Sequence, residues 1–130
     1  MDAKADFSEV QQFAVQLNEA LAAAPDEVAK VVYRGAFTIQ EDARARAKRI
    51  GPHVRRYPGT ITFETARHGA ETAAEIGPET SRGQGALGDI LENGSPTSPP
   101  HPHMLPAGEA ERPRFERALE DLAVRLLEGP

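Results

Sequence analysis

His101 and His103 stand two residues apart in a proline-rich stretch, with Glu92 a short way upstream. Imidazole and carboxylate side chains suit zinc or nickel, and in an extended segment residues two apart point the same way. Prolines flank both histidines, however, and no third ligand stands at helical spacing, so polar residues in a surface loop are the better reading. Ser81, Ser95 and Ser98 offer hydroxyls, but none sits in the strand–turn–helix elbow that exposes and activates a nucleophile. Gly83, Gly85 and Gly88 lack the lysine and the following helix that a phosphate cradle requires. The chain has no cysteine, which removes thiolate ligands, disulfides and cysteine nucleophiles together. Neither a cofactor nor a resident metal is expected.

The remaining chemical feature is charge. Arg44, Arg46, Lys48, Arg49, Arg55 and Arg56 crowd into residues 44–56 with no acid among them, while the whole chain carries a net charge of −5. The rest of the molecule is therefore more acidic than the total implies. Segregation of this kind gives a protein faces that attract complementary surfaces. Guanidinium groups also pair with phosphate, which makes a nucleic-acid-binding module using 44–56 the alternative reading. Only Tyr57 lies beside the segment, too little for a base-stacking platform.

The elements that position these groups follow from periodicity. Phe7, Val10, Ala14, Leu17, Leu21 and Ala24 recur at three and four, which predicts a helix over 7–24, with Asp6 or Ser8 at its start and Pro25 at its end. A second helix begins at Pro25, with Asp26 and Glu27 in its first turn. Val28, Val32, Gly35, Ile39, Ala43, Ala47 and Ile50 line one of its faces until Gly51 and Pro52 stop it. It would run about 25 residues, or about 37 Å. Ile61, Phe63 and Thr65 then alternate with polar neighbours as a half-buried strand does. His68 and Gly69 read as a hairpin turn, and Ala70, Thr72, Ala74 and Ile76 as the returning strand. A third short strand is placed at 86–92. The prolines of 93–106 predict irregular chain, and Phe115, Leu119, Leu122 and Leu126 a final helix from Pro113 onward.

The expected fold class is α+β. It comprises two N-terminal helices, one of them long, a small antiparallel sheet of about three strands, long Pro/Gly-rich loops at 52–60 and 77–106, and a C-terminal helix. At 130 residues and 39% hydrophobic content this is one domain, 1–130, with a modest core. The sequence offers neither an apolar leader nor an 18-residue apolar run, so a soluble chain with no membrane partner is expected.

Three stretches of this sequence, read together, resemble the tail-completion or neck component family of long-tailed phages, related to the tail component of lambda-like siphophages. The first is the helix end Ala45-Arg46-Ala47-Lys48-Arg49-Ile50-Gly51-Pro52, followed by Tyr57-Pro58-Gly59-Thr60-Ile61. The second is Ala74-Glu75-Ile76-Gly77-Pro78, similar to the family's strand that ends on a branched residue, glycine and proline. The third is Leu91-Glu92-Asn93-Gly94-Ser95 and then Pro99 to Ala107, which includes His101, His103, Met104 and Leu105 and precedes the last helix. Where the family often has Thr-Gly-x-Leu-Arg, this chain has Tyr57 to Ile61, and 83–88 carries no aromatic where relatives commonly do. The similarity spans 10–127.

The resemblance implies a structural virion protein of the neck, assembled in the host cytoplasm and without catalytic residues. Its expected partners are further copies of itself in a ring of about six, head-closure or connector proteins, and a tail terminator or major tail protein. Genomic DNA would pass through the lumen unread. The candidate interface residues are Arg44, Arg46, Lys48, Arg49, Arg55 and Arg56, with Glu92, His101, His103, Met104 and Leu105 of the third motif.

Overall fold

The computed structural model describes residues 12–16, 19–69 and 71–129. Its longest early element is helix α2, Pro25–Lys48, preceded by strand β1, Gln12–Gln16, and a single-turn helix α1, Glu19–Ala22. Pro25 occupies the first turn of α2, where a missing amide is harmless, and Asp26 and Glu27 sit at the positive end of its dipole. Val28, Val32, Ala36, Ile39, Ala43 and Ala47 form its inward stripe, each within 1% of complete burial. After α2 the chain makes two 3-10 turns, Pro52–Val54 and Pro58–Thr60. The hairpin of β2, Ile61–His68, and β3, Glu71–Pro78, follows. A third 3-10 turn, Gly83–Leu87, leads into helix α3, Gly88–Asn93, and helix α4, Met104–Glu128, ends the described chain.

The sheet has three strands in the order β1-β3-β2, antiparallel throughout, so β3 is central. Register and alternation divide the hairpin into two faces. Ile61, Phe63, Thr65 and Arg67 share one face with Pro78, Ile76, Ala74 and Thr72. This face meets α2: the Phe63 ring packs edge-on against Tyr33 at 5.0 Å, and Arg67 donates to the Pro25 carbonyl at 3.3 Å. The other face presents Thr62, Glu64, Ala66 and His68 beside Gly77, Glu75, Ala73 and Glu71.

Helix α2 is the middle layer, packed against β2 and β3 on one side and along α4 on the other. Its start and the end of α4 line a common hollow, with Glu27 beside Arg125 and Leu126, so the two long helices run antiparallel. Phe115, Leu119 and Leu122 of α4 close the core from that side, each contributing about 1.5–3 kcal/mol on burial. No described helix is long and apolar enough to cross a membrane.

Four expectations need correction. The helix placed over 7–24 is instead strand β1 and then α1; residues 1–11, 17 and 18 lie outside the described set, as does Ala70 of the expected return strand. The strand placed at 86–92 is a 3-10 turn and α3, because Leu87 and Leu91, four apart, turn together toward the core. The last helix begins nine residues earlier than Pro113, at Met104, and Pro113 is interior to it on the exposed side. The expected loop at 52–60 is two ordered turns that bury Val54, Pro58 and Thr60.

Candidate functional site

The first residues of α4 lie beside no side-chain cap of their own: His103, at the cap position, makes no such bond. The free amides are met from a distance. Glu92, at the end of α3, accepts from the backbone N–H of His103 at 3.1 Å and of Met104 at 2.8 Å through Oε1, and from Leu105 at 3.2 Å through Oε2. A carboxylate at this point satisfies otherwise orphaned donors and faces the positive end of the helix dipole.

The His103 ring is completely buried beneath this cap, as is Tyr57. Its Nδ1 lies 2.9 Å from the carbonyl oxygen of His101 and 3.2 Å from Glu92 Oε1. Both neighbours can only accept while Glu92 is ionised, so Nδ1 carries the hydrogen. Nε2 then accepts from the Tyr57 hydroxyl at 2.6 Å, and the two rings meet edge to face at 5.2 Å and 89°. Burial pushes the Tyr57 phenol well above its ordinary range, with the Glu92 charge adding to the effect, so it remains a donor.

Two glycines let the surrounding chain close. Gly94 has φ +77°, a left-handed conformation costly for other residues, and a Cβ on it would stand 2.8 Å from the Pro100 nitrogen. At Gly88 a Cβ would meet Pro78 Cγ at 2.6 Å and the Tyr57 hydroxyl at 3.2 Å. Tyr57 comes from the first of the resembling stretches, Pro78 from the second, and Glu92, Gly94 and His103 from the third. The fold brings all three to one clasp.

Comparison with protein-family models, curated proteins and solved structures finds no match to this chain.

The clasp reassigns several candidate interface residues. His103 and Met104 point into the core at 0% and 2% exposure, and Glu92 is committed to the α4 amides. His101 and Leu105 remain on the surface. Among the described residues no group of three or more histidine, aspartate or glutamate side chains is arranged to hold a metal ion. Glu92 and His103 do approach each other, but as partners in the clasp.

The basic segment also divides. Arg44 donates twice to the Ile61 carbonyl, at 2.9 and 2.7 Å, and so ties α2 to the start of β2. Arg46 pairs with Asp42 one turn back at 3.0 Å. Lys48, Arg49, Arg55 and Arg56 are exposed and make no ion pair among the described residues. They gather where α2 ends and the next turn begins. Gln84 fixes that turn by accepting from the Arg56 amide at 2.9 Å and donating to the His53 carbonyl at 3.0 Å. Pro52, His53, Arg55, Arg56, Gly83 and Gln84 line the resulting open basin. The sequence located this pole but had no signal for Gln84, whose role depends on a loop 28 residues away.

Proposed function

We propose that the chain is a structural component of a phage neck or tail-completion ring, joining head-closure proteins to the tail tube around the DNA passage. The observation that carries this reading is the convergence of its three resembling stretches on the Tyr57–His103–Glu92 clasp. Motifs scattered over 57–107 meet in one piece of architecture there, which supports reading the three stretches together. The chemistry of the clasp supports a scaffold role: its polar groups are buried and spent on one another and on backbone amides, which fixes shape and leaves nothing aimed at a substrate. About six copies in a closed ring, seated between connector and tail proteins, would use such a rigid unit.

The experiment is deletion and add-back. In the phage that encodes the chain, removing it should leave filled heads and separate tails in electron micrographs, and adding the purified protein to the lysate should join them. Intact virions formed without it would overturn the proposal.

A second reading has one specific observation in its favour. Lys48, Arg49, Arg55 and Arg56 are unpaired among the described residues and could hold phosphate, as a nucleic-acid-binding module would. A gel-shift titration with duplex DNA tests it, with binding that falls steeply between about 50 and 200 mM salt as the positive result.

A further inference from the structure

The outer face of the β2–β3 hairpin carries a charge arrangement that does not favour the folded monomer. Glu64 and Glu75 are directly opposite in the register, both exposed, and Glu71 lies on the same face across from His68. Like charges facing one another across an antiparallel pair are destabilising. None of the three glutamates has a cation within ion-pair distance among the described residues, although Arg67 is on β2 with Glu64. Arg67 points to the opposite face, toward Asp26. The hairpin thus presents an exposed acidic surface.

At the end of α2 the same chain presents the reverse: Lys48, Arg49, Arg55 and Arg56, exposed and without carboxylate partners among the described residues. We infer that the two are halves of one contact, in which the basic pole of each copy docks on the acidic hairpin face of the next. This rests on the ring reading above and names the surfaces that such a ring would use. Because the two patches are different parts of the molecule, the contact is head-to-tail, the type that closes into a ring when the rotation permits. Duplex DNA could neutralise the basic pole but would be repelled by the hairpin face; a second copy satisfies both at once. Complementary fields of this kind fix register and partner choice more than raw affinity.

The test uses two variants of the full chain that spare the helices. Arg55→Glu with Arg56→Glu cancels the net positive charge of the pole, offsetting the remaining Lys48 and Arg49, without touching the C-terminal turn of α2. Glu71→Lys with Glu75→Lys reverses the hairpin face and leaves Glu64 opposite a lysine. Sedimentation should find the unaltered chain self-associating, more weakly as salt rises from about 0.1 M to about 1 M and the screening length falls from about 10 Å to about 3 Å. Each variant alone should associate about tenfold or more weakly. An equimolar mixture should recover association, since the first variant keeps the acidic hairpin face and the second keeps the basic pole, which together make one intact contact. Circular dichroism melts establish that both fold; should either fail, the neutral pair Arg55→Gln with Arg56→Gln and the salt titration decide.

A monomeric unaltered chain at low salt, unchanged association in either variant, or a mixture that fails to recover would each overturn the inference. So would loss of DNA binding by the Arg55→Glu, Arg56→Glu chain with self-association intact, which would make the pole a DNA surface. The two proposals separate in the add-back assay. A reversed chain that joins heads to tails as well as the unaltered one refutes the faces alone. Association that follows the charges in a chain that joins nothing refutes the neck reading alone.

Discussion

Glu92 holds the start of a helix from eleven residues upstream of the first amide it meets, and this makes the α3–α4 connection a single unit. Its replacement by alanine leaves the first amides of α4 without their acceptor and the His103 Nδ1 with one partner fewer. The expected loss is about 2 kcal/mol, the upper end for helix caps, read as a lower midpoint in urea. Tyr57→Phe probes the other side of the clasp: His103 Nε2 would be buried with no donor, at a cost of about 1–3 kcal/mol. Glu111 on α4 behaves oppositely. It is 6% exposed, and its Oε1 has no hydrogen-bond donor among the described residues, Arg114 being 3.7 Å away at ion-pair range. Burial pushes its carboxyl above the ordinary range, against a smaller pull from Arg114. The folded state therefore holds this proton more tightly than the unfolded chain does. Stability from this group is fully present below the unfolded value of about 4.3 and is lost as pH rises through the folded one. Glu111→Gln should raise the melting temperature at pH 7 and make little difference near pH 4. An equal shift at both values would show that the carboxyl is not the cause.

At the scale of elements, helices and strands were legible where one periodicity ruled and misread where a distant partner overrode it. The stripe from Val28 to Ala47 and the alternation at Ile61 and Phe63 each announce the face they bury. Residues 12–16 fit a three-and-four spacing as well as a strand, and the central strand decides between the two. Thr72, Ala74 and Ile76 of β3 are all buried, and a strand so poor in large side chains needs a neighbour on both edges. The start of α4 was obscured by Pro106 and Pro113, since proline ordinarily marks a first turn. The remote cap at Glu92 starts the helix before either of them, and no local spacing records that. Pro113 then sits inside the helix on its exposed side, where it removes an amide from the ladder. Pro113→Ala should stabilise the chain by about 1–3 kcal/mol; a melting temperature that stays the same or falls would show that the missing amide costs this helix nothing. The candidate site was legible to the same degree. The basic pole was visible as composition, whereas the departure of Arg44 and Arg46 to local partners and the inward turn of His103 and Met104 are tertiary facts.

For the whole molecule, the layered order of sheet, α2 and α4 leaves one face of the hairpin with no element packed on it from this chain's long helices, and that face is the acidic one. A monomer selected only for stability would gain by breaking the Glu64–Glu75 opposition, because an unlike pair across the strands is favourable by a few tenths to about 1 kcal/mol where the like pair is unfavourable. The opposed glutamates make sense if a second copy supplies the cations. Stability and assembly must then respond to one substitution in opposite directions. Glu64→Lys places an unlike pair on the hairpin and raises the melting temperature of the isolated chain by a few degrees, as expected for about 1 kcal/mol in a domain of this size. It also takes negative charge from the docking face and weakens self-association in sedimentation. A variant that was merely damaged would lose both, and a hairpin face with no partner would gain stability with association unmoved. The divergence of the two measurements distinguishes an interface from ordinary surface charge.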